Sequence, residues 1–277
     1  MASQPGILDP VPATARYVTL ALTPAADPRA IVDRVRALHV DPSIVVGLGA
    51  PLVHVAGLRP FPAIAGAGVA IPSTQGALWL QTRGTDPGDT LRTMRRALAH
   101  LGDGLRIDED VLAYKHDIGR DLSGFEDGTE NPTGDKAVAA ALASDASFVA
   151  TQRWIHDLAR FDGFDARTRD RLIGRNRETN VELADAPASA HVKRAAQESF
   201  EPPAFMVRRS MPFGGVAEHG LYFVAYVASL DRFEAVLRRM VGLDDGIVDG
   251  LFQFSRPISG GYFWCPPVVG AHLSIAG

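Results

Sequence analysis

Residues 17–48 read YVTLALTPAADPRAIVDRVRALHVDPSIVVGL, and the fold prediction starts from this stretch. The apolar run at 17–22 predicts a β-strand. Asp27 then supplies a helix N-cap, and Pro28 stands at the first helical position, where its missing N–H has no cost. The helical period selects one buried face, made of Ile31, Val32, Val35 and Leu38. A second apolar run at 44–48 completes a strand–helix–strand unit.

The pattern continues through the rest of the first half. Apolar runs at residues 77–81 and 112–114 predict strands on either side of another helix. That helix begins at Asp86-Pro87 and ends at Gly102. Its predicted buried face consists of Leu91, Met94, Leu98 and Leu101. The first half therefore has the order strand–helix–strand–strand–helix–strand.

The second half shows the same order. Strands are predicted at residues 148–155, 204–209, 221–227 and 251–254. One helix is predicted over residues 165–173, and another follows Ser229. The apolar face of the latter is made of Phe233, Val236, Leu237, Met240 and Val241. Two halves with one element order predict a structural duplication.

This element order is that of ferredoxin-like folds. We therefore predict an α+β protein with two ferredoxin-like domains, each an antiparallel sheet with helices on one face. The uncovered sheet faces then either stack on one another or close together. The domains are assigned to residues 1–118 and 146–277. The segment 119–145, rich in Gly, Asp, Asn and Pro, connects them.

The composition excludes several classes of protein. Of 277 residues, 46% are hydrophobic and 22% are charged, which is typical of a soluble globular protein. With 32 acidic and 28 basic residues, the net charge of −4 offers no basic surplus for nucleic acid. The single cysteine, Cys265, excludes an intramolecular disulfide and argues against a Cys-based zinc site.

Neither a membrane span nor an export signal is predicted. Charged residues interrupt every apolar run before about 18 residues, the usual minimum for a spanning helix. The first residues, MASQPG at 1–6, lack the charged and apolar regions of a signal peptide. The expected location is the cytoplasm.

The connecting segment contains GFEDGTENP at residues 124–132. Its composition alone favours a solvated turn between domains, because Gly, Asn, Asp and Pro are the usual turn formers. A calcium-binding loop is the competing interpretation. However, the acidic residues lack the alternating spacing and terminal glutamate of an EF-hand. Calcium is therefore not predicted.

Other polar residues have chemistry of interest but no specific motif. The eight histidines include no HExxH or CxxCH motif, so His191 alone is more readily a surface or core residue than a ligand. Arg208 and Arg209 interrupt an apolar strand, and alternation sends one of them to a buried face, where it needs an anion. A structural salt bridge explains that arginine equally well. Asp249 alone reads as a turn residue before a strand.

Taken together, these residues resemble the dye-decolourising peroxidases. The GxxDG motif of that family matches residues 124–128, and its longer form continues to residue 132. Further blocks are IPSTQG at 71–76, QRWIHDL at 152–158, IGR at 173–175, HVKR at 191–194, VRRSMPFG at 207–214, HGLYF at 219–223 and SGGYF at 259–263. They cover nearly the whole chain in the family's order. The length resembles the compact bacterial intracellular subgroup.

The resemblance implies haem b as cofactor, bound in the C-terminal domain near the domain interface. His191 is then the axial iron ligand, and Asp249 accepts a hydrogen bond from its imidazole. On the opposite, distal side, Asp127 and Arg208 act on hydrogen peroxide, while Arg209 faces away. Four further residues are expected around the cofactor: Leu221 and Phe223 as apolar lining, and Gly128 and Thr129 near the haem edge.

The implied function is reduction of hydrogen peroxide coupled, through a ferryl intermediate, to oxidation of dyes, phenols or similar small-molecule reductants. One alternative is a haem-handling protein, similar to a deferrochelatase, that binds porphyrin and releases its iron. Another is a ferredoxin-like binding module without haem. The resemblance also implies a homo-oligomer. Packaging in an encapsulin shell would need a targeting tail, for which only residues 273–277 are left after the last strand.

Overall fold

The structure is a computed structural model that describes residues 1–275. Over these residues the strands are β1 (Thr14–Leu22), β2 (Ile44–Leu48), β3 (Ile64–Gly66), β4 (Val69–Ile71), β5 (Leu78–Gly84), β6 (Leu105–Tyr114), β7 (Leu142–Ala143), β8 (Ala146–His156), β9 (Val207–Arg208), β10 (Met211–Gly214), β11 (His219–Val227), β12 (Ser255–Pro257), β13 (Gly261–Cys265), β14 (Val268–Val269) and β15 (His272–Leu273). The α-helices are α1 (Pro28–Ala37), α2 (Pro87–Leu101), α3 (Asp135–Ala141), α4 (Leu158–Asp162), α5 (Ala166–Ile173), α6 (His191–Arg194) and α7 (Leu230–Met240). Short 3₁₀ helices occupy Pro5–Ile7, Gln197–Ser199 and Gly250–Gln253. No helix in this part of the chain is both long and apolar enough to cross a lipid bilayer.

The first half has the predicted ferredoxin-like topology. β6, β1, β5 and β2 lie side by side in that order as an antiparallel sheet. α1 and α2 cover one face of it, and both begin as predicted, since Asp27 and Asp86 accept hydrogen bonds from the first N–H groups of their helices. One predicted core residue is wrong: Leu91 is 39% exposed, and Ala97 lies at the sheet instead.

The second half repeats this topology with different helices. β10, β11, β8 and β13 are adjacent in that order, which is again the ferredoxin-like arrangement. α4, α5 and α6 follow β8, and α7 follows β11. The capping residues of α5 and α7, Asp165 and Ser229, each accept a main-chain hydrogen bond, so both predicted helix starts are confirmed.

The two sheets close together into one barrel. β13 pairs with β2 at Trp264 and Leu48, and β6 pairs with β10 at Ala113 and Phe213. In the part of the chain described, β8, β13, β2, β5, β1, β6, β10 and β11 therefore form a closed ring. Its interior is packed with buried side chains, among which are Tyr17, Trp79, Tyr222, Tyr226 and Phe263. The helices lie outside the ring, so each strand presents one face to the barrel and the other to a helix layer.

Two strand predictions are wrong in detail. Residues 251–254 do not form a strand, because Gly250–Gln253 is a 3₁₀ helix whose first turn is capped by the Asp249 carboxylate. The strands that follow, β12 and β13, complete the sheet. The strand predicted over residues 204–209 is reduced to Val207–Arg208, and β10 begins three residues later. In both segments a side chain accepts a main-chain hydrogen bond, Asp249 from Leu251 and Gln197 from Met206, and periodicity does not report such bonds.

Candidate active site

A cavity lies between the outer face of β11 and α7. Its volume is about 120 Å³. Its apolar walls include Phe233, Val236, Leu237 and Met240 from α7, with Leu221 and Phe223 from β11. All its lining residues come from residues 121–255, which are the connecting segment and the second half. We refer to it as the main cavity.

His191 lies at the first position of α6 and lines the main cavity. Its Nδ1 is 2.8 Å from Oδ2 of Asp249, whose side chain is 0% exposed. The other oxygen of Asp249 accepts from the Leu251 N–H. A carboxylate only accepts, so Nδ1 is the donor in this pair, and in a neutral imidazole Nε2 then keeps its lone pair. Arg194 holds α6 against α7 by donating to the main-chain oxygen of Arg239, and it also donates to the Asp245 carboxylate beyond that helix.

Arg208 and Arg209 leave β9 on opposite sides, as strand alternation requires. Arg209 donates to the main-chain oxygens of Leu8 and Asp9, away from the main cavity. Arg208 lines the main cavity, and its Nη2 lies 4.0 Å from Oδ1 of Asp127. The Nε of Arg208 is buried and has no hydrogen-bond partner in the structure. This guanidinium therefore has donor capacity that the protein leaves unused.

Asp127 and Arg208 also border a second, outer cavity. Its walls come from Pro10 and Val11, from residues 115–121 and from residues 210–212. Asp121 and Leu221 are the other residues that line both cavities. The Asp127–Arg208 pair therefore stands between the main cavity and a more polar space outside it.

The glycines of the GxxDG motif are needed for conformation and for space. Gly124 and Gly128 have φ of +88° and +76°, a region that side chains rarely adopt. A Cβ on Gly128 would lie 2.9 Å from Nδ2 of Asn131. Gly128 borders the outer cavity rather than the main one, and Thr129 lines neither. These two residues are therefore not brought to the wall where the haem edge was expected.

A buried polar network lies at another part of the main cavity wall. His156 Nδ1 is 2.7 Å from Ser255 Oγ, and its Nε2 is 3.0 Å from Asp121 Oδ1. Burial alone would raise the pKa of the Asp121 carboxyl. The charge of His156 and hydrogen bonds from His156 and Ser123 outweigh burial and lower that pKa to about 2. The carboxylate thus stays ionised inside an otherwise apolar region.

Sequence reasoning assigned no role to this network. Asp121 lies three residues before the GxxDG motif, and His156 belongs to the QRWIHDL block, so both were near recognised positions. Their contact spans 35 residues of sequence, and that of His156 with Ser255 spans 99. Such pairing is visible only in the folded chain. Leu221 and Phe223, by contrast, line the main cavity where they were expected.

The main cavity fits haem on the chemistry of its walls. Within residues 1–275 no group of three or more His, Cys, Asp and Glu residues could hold a metal ion. A lone imidazole with a free Nε2 instead suits a metal that brings its remaining ligands with it, as haem iron does. Mostly apolar walls suit the macrocycle, and the unpaired Nε of Arg208 suits an anion near the metal.

Comparison with known proteins identifies the family. The profile described as "Dyp-type peroxidase, C-terminal" matches residues 119–270, more than half of the chain. The chain belongs to the Dyp-type peroxidase family. A dye-decolorizing peroxidase from Mycobacterium tuberculosis is 31% identical over 224 residues, covering 76% of this chain and 67% of that protein. This chain is therefore a haem peroxidase.

Solved Dyp-type structures share the fold. A variant of DypB from Rhodococcus jostii RHA1 in complex with heme has a TM-score of 0.87 and 29% identity, with 96% of each chain covered. The encapsulated DyP-type peroxidase from Mycobacterium smegmatis has a TM-score of 0.85 and 26% identity, also with 96% of each chain covered. The predicted α+β fold and the predicted family are confirmed.

Proposed function

We propose that the main cavity binds haem b with Nε2 of His191 as the axial protein ligand, and that the protein reduces hydrogen peroxide there at the expense of dyes, phenols or similar reductants. The observation that carries this proposal is the His191–Asp249 pair, which engages Nδ1 and leaves Nε2 available to a metal at an apolar cavity wall. Haem, when bound, supplies the redox-active iron that exchanges electrons with peroxide and reductant.

Asp249 acts on the reaction through His191. A buried carboxylate that accepts from Nδ1 fixes the tautomer and the ring orientation, and it makes Nε2 a stronger donor to a metal. The capping hydrogen bond from the Leu251 N–H holds the carboxylate in this orientation. Asp249 thus has a structural and an electronic role at once.

Asp127 and Arg208 are the proposed peroxide residues. Conversion of hydrogen peroxide to two waters consumes two electrons from the reductant and two protons. The Asp127 carboxylate takes one peroxide proton and returns it to the departing oxygen, directly or through one water. The Arg208 guanidinium, with an unpaired Nε, stabilises the negative charge that develops as the O–O bond breaks. A protein that only carries haem needs neither residue.

The assembly and location extend this proposal. We propose a cytoplasmic homo-oligomer. Enclosure in a protein shell is a further case to test, because the relative from Mycobacterium smegmatis is described as encapsulated. Of the segment considered as a targeting tail, residues 276–277 lie outside the described residues. We also retain residues 1–118, 119–145 and 146–277 as the proposed division of the chain. Light scattering on the purified protein measures the oligomer.

The deciding experiment is an absorption spectrum after reconstitution with hemin, recorded before and after one equivalent of hydrogen peroxide. We expect a ferric Soret band that shifts on adding peroxide and returns when a reducing dye is added. A bound haem that does not respond to peroxide would favour the haem-handling alternative. Failure to bind hemin at all would contradict the assignment of the main cavity.

A further inference from the structure

Arg208 lies on the outermost strand of the sheet, and that strand has only two residues. On one side β9 pairs with β11, with Arg208 opposite Ala225. The next N–H along, that of Arg209, bonds to the Val224 carbonyl. Because neighbouring main-chain groups of a strand alternate in direction, the N–H and C=O of Arg208 point away from β11. No further strand lies on that side of β9 within the described residues.

The side chain of Asn131 takes the place of the missing strand. Its Oδ1 accepts from the Arg208 N–H at 2.8 Å, and its Nδ2 donates to the Arg208 carbonyl at 3.0 Å. The carboxamide therefore pairs with both main-chain groups of one residue, as the backbone of an antiparallel neighbour would. Asn131 is 77 residues distant in sequence, so this contact ties the GxxDG loop to β9.

The same loop carries Asp127. The Asn131 N–H bonds to the Gly128 carbonyl at 3.1 Å, which closes a tight turn between the two residues. One end of this turn thus binds the main chain of Arg208, while the Asp127 carboxylate at the other end faces its guanidinium at 4.0 Å. The absence of a side chain on Gly128 keeps the space that the Asn131 amide occupies.

We propose that Asn131 is a positioning residue of the peroxide site, holding the main chain of Arg208 so that its guanidinium lies opposite Asp127. Asn131 does so with an acceptor, Oδ1, and a donor, Nδ2, that are bonded to the same carbon. Aspartate lacks the donor when ionised, leucine lacks both groups, and glutamine is one methylene longer. The inference rests on the proposed function, in which Arg208 stabilises charge next to the iron.

Fluoride binding to the ferric holoenzyme tests this without turnover, because fluoride is an anion that the Arg208 guanidinium can reach only if it is correctly held. Loss of a hydrogen bond to a charged group costs about 1.5–3 kcal/mol, so R208L should weaken fluoride affinity roughly 10- to 150-fold. N131L should weaken it less than R208L does, because the arginine is still present but less well placed. Haem content and thermal stability are measured on every variant.

N131D separates positioning from a general loss of structure. At neutral pH its second oxygen faces the Arg208 carbonyl, and the fluoride affinity relative to wild type at the same pH should fall as in N131L. On acidification the protonated carboxyl regains a donor, and the relative affinity should return towards wild type.

N176A is the matched control. Asn176 accepts three hydrogen bonds from residues 178 and 179 of another loop and does not border either cavity, so its loss should leave fluoride affinity unchanged.

The outcomes distinguish the inference from its premise. Wild-type fluoride affinity in N131L, beside a weakened R208L, would overturn the role of Asn131 and leave that of Arg208 intact. An N131D affinity that stays low at every pH would also count against positioning. Unchanged fluoride affinity in R208L would instead contradict the proposed function.

Discussion

His191 Nδ1 lies 2.8 Å from Oδ2 of Asp249, a carboxylate whose side chain has no exposed surface. The pair joins α6 to the 3₁₀ helix at Gly250–Gln253, and it leaves Nε2 of the imidazole at the main cavity. The geometry therefore depends on two short segments that meet through one hydrogen bond. The contribution of this hydrogen bond can be tested separately from that of the His191 imidazole itself.

Replacing Asp249 with asparagine keeps an acceptor for Nδ1 but removes the negative charge. We expect bound haem, a peroxidase rate about 10- to 100-fold lower, and a more positive ferric/ferrous midpoint potential, because a less basic imidazole stabilises the ferric state less. Spectroelectrochemistry measures the potential. D185N, which changes a carboxylate that is 73% exposed, is the control and should match wild type in both measurements. An unchanged potential in D249N would contradict the electronic role of Asp249.

Replacing His191 with alanine removes the sole imidazole that we assign to the iron. Hemin titration, followed by the Soret band, should show weaker binding and an altered ferric spectrum. Added imidazole should restore much of the wild-type spectrum if the vacated space admits it. H219A is the control, because among residues 1–275 the His219 ring bonds only to the nearby Gly215 carbonyl, and it lies outside the main cavity. Wild-type binding and spectrum in H191A would show that another group holds the iron.

Replacing Arg208 with leucine should slow the reaction with peroxide about 10²- to 10³-fold, the usual effect of losing one preorganised donor to developing charge. Stopped-flow absorption with excess peroxide measures this rate. The neighbouring arginine is the natural comparison. R209L removes hydrogen bonds to Leu8 and Asp9 on the other face and one to the Arg208 carbonyl. Asn131 still bonds to that carbonyl, so R209L should lower stability while the rate with peroxide stays near wild type. A slow reaction with peroxide in R209L, beside a wild-type rate in R208L, would mean that Arg209 is the peroxide residue.

The Asp121–His156 contact predicts a pH-dependent stability. The pKa of Asp121 falls from 3.8 to about 2 on folding. A lowered carboxyl pKa stabilises the folded state above the unfolded value, and this contribution is lost as the pH falls from about 4 to about 2. It amounts to about 2 kcal/mol. Urea unfolding of D121N should therefore show a deficit of this size at pH 7 that shrinks below pH 4. D162N, at an aspartate that is 71% exposed, should show no such trend.

Periodicity predicts most of this fold because the elements are amphipathic and start with recognisable caps. Asp27-Pro28 and Asp86-Pro87 each mark a helix start that the structure confirms. The segment 251–254 was predicted wrongly as a strand, since its apolar residues pack at the main cavity from a 3₁₀ turn that Asp249 caps. Local pattern reports burial there, but not the hydrogen bond that decides the conformation.

The candidate site was predicted in part for a related reason. The resemblance named His191, Asp127, Arg208 and Asp249, and the structure brings all four to the main cavity or into contact with its lining. The resemblance named no residue that bonds to the main chain of Arg208. Asn131 stood in the quoted motif, yet a carboxamide that pairs with a strand edge is indistinguishable in sequence from one in an ordinary turn. Long-range hydrogen bonds have no local signature.

The closed barrel has a consequence for how the chain emerges from the ribosome. The first half forms a sheet whose outer strands are β6 and β2, and their barrel partners are β10 and β13. Synthesis runs from the N-terminus, so β2 has no partner on its outer edge until β13, at Gly261–Cys265, has been made. Both edges are open to other nascent chains until β10 is translated, and the edge of β2 stays open until β13 follows. The exposure to misassembly therefore falls in two steps.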